Sequence, residues 1–116
     1  MPPKDYPQTP DGRYFVSKGR LWRTTDPALP DDVRRAAIKR LMRARMDVRR
    51  AGDDDEALRE ARGRVQEAKE ALGERGPVWW DDGAPDETQR APWNSSYADW
   101  WAGLDAEARE KGGQDF

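Results

Sequence analysis

The sequence predicts a mainly α-helical protein: an antiparallel helical hairpin, with an N-terminal β-hairpin and a tryptophan-rich C-terminal segment packed on it. Three observations predict this fold class. Apolar residues recur at helical spacing in two consecutive segments. Acidic residues and glycines stand where these helices would begin and end. Leu, Ile, Val and Phe number only 14 of 116 residues, so the six tryptophans are needed to complete a core.

The two helices are predicted over residues 31–51 and 54–72, with Gly52 and Gly73 at their ends. Each carries one apolar stripe with a spacing of about 3.6 residues. The stripes comprise Val33, Ala37, Leu41, Ala44, Val48 and Ala51 in the first helix, and Leu58, Ala61, Val65, Ala68 and Leu72 in the second. When the second helix folds back, one register pairs Ala51 to Ala37 in turn with Leu58 to Leu72. A large residue then faces a small one in every pair, so the stripes interdigitate.

A β-hairpin is predicted over residues 13–23, because two short runs with aromatic and branched residues flank Lys18-Gly19. Glycine supplies the positive φ that a two-residue turn requires. In this register, the facing pairs are Val16 with Leu21 and Phe15 with Trp22. Such a hairpin is marginally stable alone, so it must rest on other parts of the chain.

The first helix has a second apolar face, which the second helix cannot cover. We expect tryptophans from the C-terminal segment to cover it, or a second copy of the chain in a homodimer. The candidate partner or dimer face therefore comprises Ile38, Met42, Met46, Trp79, Trp80, Trp100 and Trp101.

The remaining segments are assigned from composition. They are a flexible leader over 1–12, a Trp-rich segment over 76–104 and a flexible tail over 105–116, which leaves a single domain over 13–104. Ser96 and Asp99 have the spacing of a capping box, which predicts a short helix carrying the second Trp pair. Gly63 costs the second helix ~1 kcal/mol relative to alanine. Close approach of a tryptophan ring or of the β-hairpin would explain this glycine, and so would simple tolerance.

Charge is distributed unevenly along the chain. Residues 1–50 carry 13 basic and 6 acidic side chains, whereas residues 51–116 carry 8 basic and 17 acidic ones. One interpretation is that the halves neutralise each other internally; the other is that the basic first helix meets a polyanion. The candidate nucleic-acid contacts are Arg34, Lys39, Arg43 and Arg50.

Composition argues against most enzyme classes, because the chain has neither cysteine nor histidine. An acidic loop formed by Asp81, Asp82, Asp86 and Glu87 could bind a divalent cation, although its spacing does not match a calcium loop. No catalytic residue, metal site or cofactor is therefore assigned. No apolar run is long enough to span a membrane and the first residues lack a secretion signal, so we expect a cytoplasmic location.

Several segments resemble a family of short uncharacterised bacterial proteins, some of which carry a label tying them to Tol biopolymer transport. The resemblance covers about residues 12–101. The segments that carry it are Gly19–Arg23, Asp26–Pro30, Gly73–Asp86 and Tyr97–Trp100, and the run Trp-Trp-Asp-Asp-Gly-Ala-Pro-Asp from Trp79 is the most specific. The resemblance implies no activity, cofactor or catalytic residue.

Taken together, the sequence favours a non-catalytic protein-interaction or scaffolding module. One alternative is a nucleic-acid-binding protein that uses the first helix. A less favoured alternative is a metal-dependent hydrolase that uses the acidic loop.

Overall fold

The computed structural model describes residues 6–113 and divides the chain into two compact units. The first unit contains the chain up to Thr25 together with the part from Trp80 onward. The second is the continuous segment Asp26–Trp79. The sequence predicts one domain over 13–104. The two units are described separately below, because they are distinct by their internal contacts.

The first unit begins with an antiparallel β-hairpin of strands β1 (Tyr14–Ser17) and β2 (Arg20–Arg23). Its register pairs Val16 with Leu21 and Phe15 with Trp22, which confirms the prediction. Lys18 and Gly19 have φ values of 53° and 73°. Positive φ at both central positions is typical of the turn whose twist matches that of the strands.

Both outer edges of this hairpin are hydrogen-bonded to other segments of the first unit. The amides of Thr9 and Val16 form 2.9 Å bonds that tie residues 7–9 to β1, and the Leu21 amide donates to the Arg90 carbonyl at 2.9 Å. The strand edges are thereby satisfied. Residues 1–5 of the predicted flexible leader lie outside the described residues. Within residues 6–12, Thr9 is buried.

The core of the first unit is aromatic. Tyr14, Val16, Leu21 and Trp101 are buried together, and Trp80, Tyr97, Trp100 and Leu104 pack against them. The Tyr14 ring meets both the Trp80 ring and the Tyr97 ring edge-on, with centroids 5.6 Å apart in each pair. Large rings therefore supply the apolar area that a four-residue strand pair lacks.

Three short helices follow: a 3-10 helix (Pro92–Asn94), α3 (Ala98–Ala102) and α4 (Ala106–Lys111). The predicted capping box at Ser96 is wrong, because Tyr97 is the N-cap of α3 and Ser96 instead binds Glu87. Within the predicted flexible tail, residues 106–111 form α4, which the Asp105 side chain caps by accepting from the Ala108 amide at 2.8 Å. Residues 114–116 of that tail lie outside the described residues.

The second unit is the predicted helical hairpin, with helices α1 (Asp31–Ala51) and α2 (Asp55–Ala71). Asp31 and Asp32 lie in the first turn of α1, where the helix dipole favours anions. The Asp54 side chain caps α2 by accepting from the Ala57 amide at 3.1 Å. Gly73, with a φ of 80°, ends α2 in the left-handed conformation that closes many helices.

The seam between α1 and α2 is built from alanines facing larger residues. Ala37, Leu41, Ala68 and Leu72 form one buried cluster, with Val65 packed against it. Ala44 and Ala61 are also buried, at 2% and 0% exposure. Val33 is 42% exposed although it belongs to the predicted stripe, because α2 ends before the position that would face it.

The two glycines Gly63 and Gly73 are predicted to respond to alanine in opposite directions. Apart from its chain neighbours and the backbone of α2 itself, no atom of residues 6–113 lies within 4 Å of a Cβ built at Gly63, which favours simple tolerance over a close approach. Gly63→Ala should raise the free energy of unfolding by about 0.5–1 kcal/mol. Gly73→Ala should lower it, because its φ is positive and the added Cβ would lie 3.0 Å from Asp26 Cβ and Trp79 Cδ1. Urea denaturation measures both, and a loss of stability in Gly63→Ala would contradict the open space.

Acid sensitivity is predicted at Asp11 in the first unit. Burial raises the pKa of this carboxyl, but hydrogen bonds from the Tyr97 and Thr9 hydroxyls outweigh burial and hold it below 3.8. The ionised form therefore stabilises the fold above the ordinary pKa, and this stability is lost as the pH falls through the lower folded-state pKa. Asp11→Asn should cost about 1 kcal/mol at neutral pH and flatten the stability curve below about pH 4. Asp81→Asn, at an exposed site, is the control; equal curves for the two variants would refute the assignment.

Candidate protein-docking surface

The side of α1 opposite the seam carries two exposed methionines. Met42 is 64% exposed and Met46 is 42% exposed. The expectation that tryptophans cover this face is therefore wrong for both. Ile38, which the sequence placed with them, is half-buried and packs against the seam cluster.

The tryptophans of the candidate face lie in other surroundings. Trp80, Trp100 and Trp101 belong to the first unit and pack against its buried aromatic core. Trp79 belongs to the second unit, where its ring lies beside Gly73. Of the predicted face, Met42 and Met46 are thus the members left exposed on α1 itself.

Basic side chains surround these methionines and lack acidic partners. Seven exposed basic residues of α1 form no ion pair with any carboxylate of residues 6–113. They are Arg35, Lys39, Arg40, Arg43, Arg45, Arg49 and Arg50. Internal neutralisation by the acidic half is therefore not observed for these side chains.

Two ion pairs on the helical hairpin compensate only a small part of the positive charge of α1. Arg34 binds Asp31 within α1 at 2.9 Å, so it is the one nucleic-acid candidate that is already engaged. Asp47 binds Arg64 of α2 at 3.3 Å. Both pairs are solvent-exposed, and exposed pairs contribute little to stability.

Lys69, in the C-terminal half of α2, lies near two arginines of the second unit. The pKa of Lys69 lies below its ordinary value, because its amine is partly buried and because Arg75 and Arg45 lie near it. Like charges have therefore been brought together here by folding, even though acidic residues are abundant in the chain.

We define the α1 back face as Arg35, Lys39, Met42, Met46 and Arg49. These residues lie at positions i, i+4, i+7, i+11 and i+14, which form one continuous stripe on a helix. All five are exposed. Arg43 and Arg50, two of the nucleic-acid candidates, flank the stripe, and the third, Lys39, belongs to it. The spacing alone could have revealed Arg35 and Arg49, which were not among the candidates.

A groove of about 270 Å³ lies beside the seam, on the flank of the hairpin next to this face. Ala44 and Ala68 form its floor, since alanine side chains end at Cβ and leave room above them. Its walls are Arg40, Arg43, Asp47, Arg64 and Glu67. The groove thus places small apolar surface among charges of both signs.

Three of the four acidic residues in the loop over 81–87 have structural roles. Asp82 binds Arg13, whose guanidinium also lies 4.7 Å from the centre of the Trp80 ring. Asp86 accepts from the Thr88 amide at 2.9 Å. Glu87, which is buried, accepts from the Ser96 amide and hydroxyl at 2.9 Å and 2.5 Å.

These hydrogen bonds and ion pairs already occupy carboxylate oxygens of Asp82, Asp86 and Glu87 that could otherwise bind a metal ion. The bond to Arg13 holds the pKa of Asp82 below its usual value. No group of three or more acidic side chains within residues 6–113 is arranged to hold a metal ion. The carboxylates therefore connect β1 to the loop and the loop to α3.

Comparison with known proteins finds no matching family model, curated protein or solved structure. Over residues 6–113, no helix combines the length and apolar character needed to cross a membrane.

The burial of neighbouring residues on α1 leads to a test of this surface. Met42→Gln should change the free energy of unfolding by less than about 0.5 kcal/mol, because the side chain is exposed. Leu41→Ala, one residue away, should cost about 2–4 kcal/mol, because it opens a cavity in the seam. Thermal and urea denaturation measure both. If Met42→Gln destabilises the protein as much as Leu41→Ala, the face is covered in solution.

Proposed function

We propose that this protein is a non-catalytic interaction module that binds an acidic surface of a partner protein through the α1 back face. The observation that carries this proposal is the exposure of Met42 and Met46 among basic side chains without ion-pair partners. Methionine is flexible and polarizable, and it is common at surfaces that bind helices.

Charge and apolarity together select the partner chemistry. The basic residues favour a surface rich in Asp and Glu, through both affinity and the rate of encounter. The methionines favour apolar side chains in the middle of that surface, because their burial removes apolar area from water. An amphipathic helix with acidic flanks combines both properties.

An isologous homodimer through this face is disfavoured. Two-fold symmetry would place the same basic residues of both copies in one interface. Arg35, Lys39 and Arg49 would then repel their equivalents across the interface, with no carboxylate of the same face to separate them.

Nucleic acid is the competing ligand class, and Lys39, Arg43 and Arg50 are exposed and available for phosphates. Phosphate contacts account for the arginines but leave the methionines without a role. The apolar centre of the face therefore favours a protein partner.

A peptide titration tests the proposed function. A labelled amphipathic helical peptide of leucine and glutamate should bind, and its fluorescence anisotropy should rise on titration with the protein. The double variant Met42→Ser/Met46→Ser should weaken binding by about tenfold or more, whereas Met42→Leu/Met46→Leu should retain it. A glutamate peptide without leucine should bind more weakly than the amphipathic one.

Duplex DNA of equal charge serves as the competitor in the same assay. Binding of DNA that is tighter than binding of the peptide, and that does not change in Met42→Ser/Met46→Ser, would assign the face to nucleic acid instead. Failure of both probes at low salt would refute the proposed function.

A further inference from the structure

The side of α2 that faces away from the seam has the reverse charge of the α1 back face, and Glu67 at its edge also borders the groove beside the seam. We define the α2 back face as Glu56, Glu60, Gly63, Glu67 and Glu70. All five are exposed, and their four carboxylates form no ion pair with any basic group of residues 6–113. The Glu70 carboxylate accepts a bond from Gln66 at 3.0 Å, which leaves its charge uncompensated.

The two back faces have the same spacing. Counting from Arg35 on α1 and from Glu56 on α2, both follow i, i+4, i+7, i+11 and i+14. Stripes with identical spacing on two helices can meet along their whole length. When the two are laid against each other in antiparallel fashion, Met42 falls opposite Gly63 at the centre.

The other positions of this register are complementary in charge. The facing pairs are Arg35 with Glu70, Lys39 with Glu67, Met46 with Glu60 and Arg49 with Glu56. Three of the four are basic against acidic. In the fourth, the Met46 thioether faces the methylene groups of a glutamate, whose carboxylate can reach water.

Gly63 fits this arrangement sterically. Apart from the backbone of α2 itself and the adjacent residues, no atom of the described part of the chain lies within 4 Å of a Cβ built there, so the missing side chain leaves an open gap in the α2 surface. Met42 is 64% exposed, more than any other large apolar residue between positions 6 and 113. A protruding methionine opposite an open gap repeats the large-against-small pairing that closes the seam inside each molecule.

We propose that the α1 back face of one molecule binds the α2 back face of a second copy, so that the protein associates head-to-tail. This deepens the proposed function by naming the acidic partner, and it rests on that function. Because the two faces lie on opposite sides of one helical hairpin, each bound copy leaves one face of each kind free. The association is therefore open-ended and not limited to a dimer.

The antiparallel docking continues the alternation of helix direction that α1 and α2 already have. Successive hairpins then stack like the units of a helical repeat protein, except that separate molecules replace covalently joined repeats. Salt should weaken the contact, since three charged pairs contribute to it at the surface.

Sedimentation velocity on the full chain tests this inference. The wild-type protein should show a sedimentation coefficient that rises with concentration at low salt and falls when salt is added. Two variants each disable one face: Lys39→Glu with Met42→Ser on α1, and Gly63→Lys on α2. Each alone should weaken association by about tenfold or more. Arg62→Glu, on α2 but outside the stripe, carries the same charge reversal as Lys39→Glu and should associate like wild type.

Mixing the two disabled variants gives the decisive readout. Each variant keeps the face that the other lacks, so an equimolar mixture should form a dimer that grows no further. Circular dichroism and thermal denaturation of each variant alone verify that it is folded. An isologous interface would not be restored by mixing, and that result would overturn the inference.

The outcome also separates this inference from the proposed function. A wild-type chain that stays monomeric at low salt, while its α1 back face still binds the leucine–glutamate peptide, overturns head-to-tail association and leaves the proposed function standing. Loss of both overturns both.

Discussion

The contact on which the rest of the second unit depends is the seam between α1 and α2. Ala37 and Ala68 are buried against Leu41 and Leu72, so the helices approach closely with few large side chains. A fully buried leucine contributes about 1.5–3 kcal/mol. A chain with only 14 Leu, Ile, Val and Phe residues can supply one such stripe per helix and little more. The opposite sides of the two helices are consequently mostly polar, apart from Met42 and Met46 on α1.

The core of the first unit contains few aliphatic residues and is built mainly from aromatic rings. Its strands are four residues long, and rings from distant parts of the chain cover them. The buried Glu87 complements this packing, because its backbone amide donates to the Tyr14 hydroxyl at 2.8 Å while its side chain binds Ser96. A buried carboxylate is tolerated only when hydrogen bonds replace the lost water. Here those bonds also hold the loop against β1 and the start of α3.

Separation of charge is the property that gives the helical hairpin its interaction surfaces. Basic residues occupy the α1 back face and carboxylates the α2 back face, and among residues 6–113 neither set is neutralised by ion pairs. A surface that served solubility alone would work equally well with the two signs interspersed. Segregated charge instead creates a field that selects a partner of opposite sign. The methionines in the middle of the basic face and the glycine in the middle of the acidic face then provide steric complementarity in addition to opposite charge.

The sequence by itself determined both hairpins. Period and caps located α1 and α2 to within about a residue, because these signals are local. The large-against-small pattern predicted the contact of Ala37 and Leu41 with Ala68 and Leu72, which form one buried cluster. The same periodicity placed Met42 and Met46 on one face of α1, together with Ile38, which instead packs against the seam cluster.

Tertiary structure alone decided where the tryptophans lie. Periodicity reports the side of a helix on which a residue sits, but not which distant segment will cover it. For that reason the Trp80 and Trp101 rings, expected over the methionines, are found in the core of the first unit. The hydrogen bonds of residues 6–12 and 105–113 were likewise decided by tertiary structure, because they join these segments to the β-hairpin: the Thr9 amide donates to the Tyr14 carbonyl, and the Gly19 amide donates to the Gly112 carbonyl.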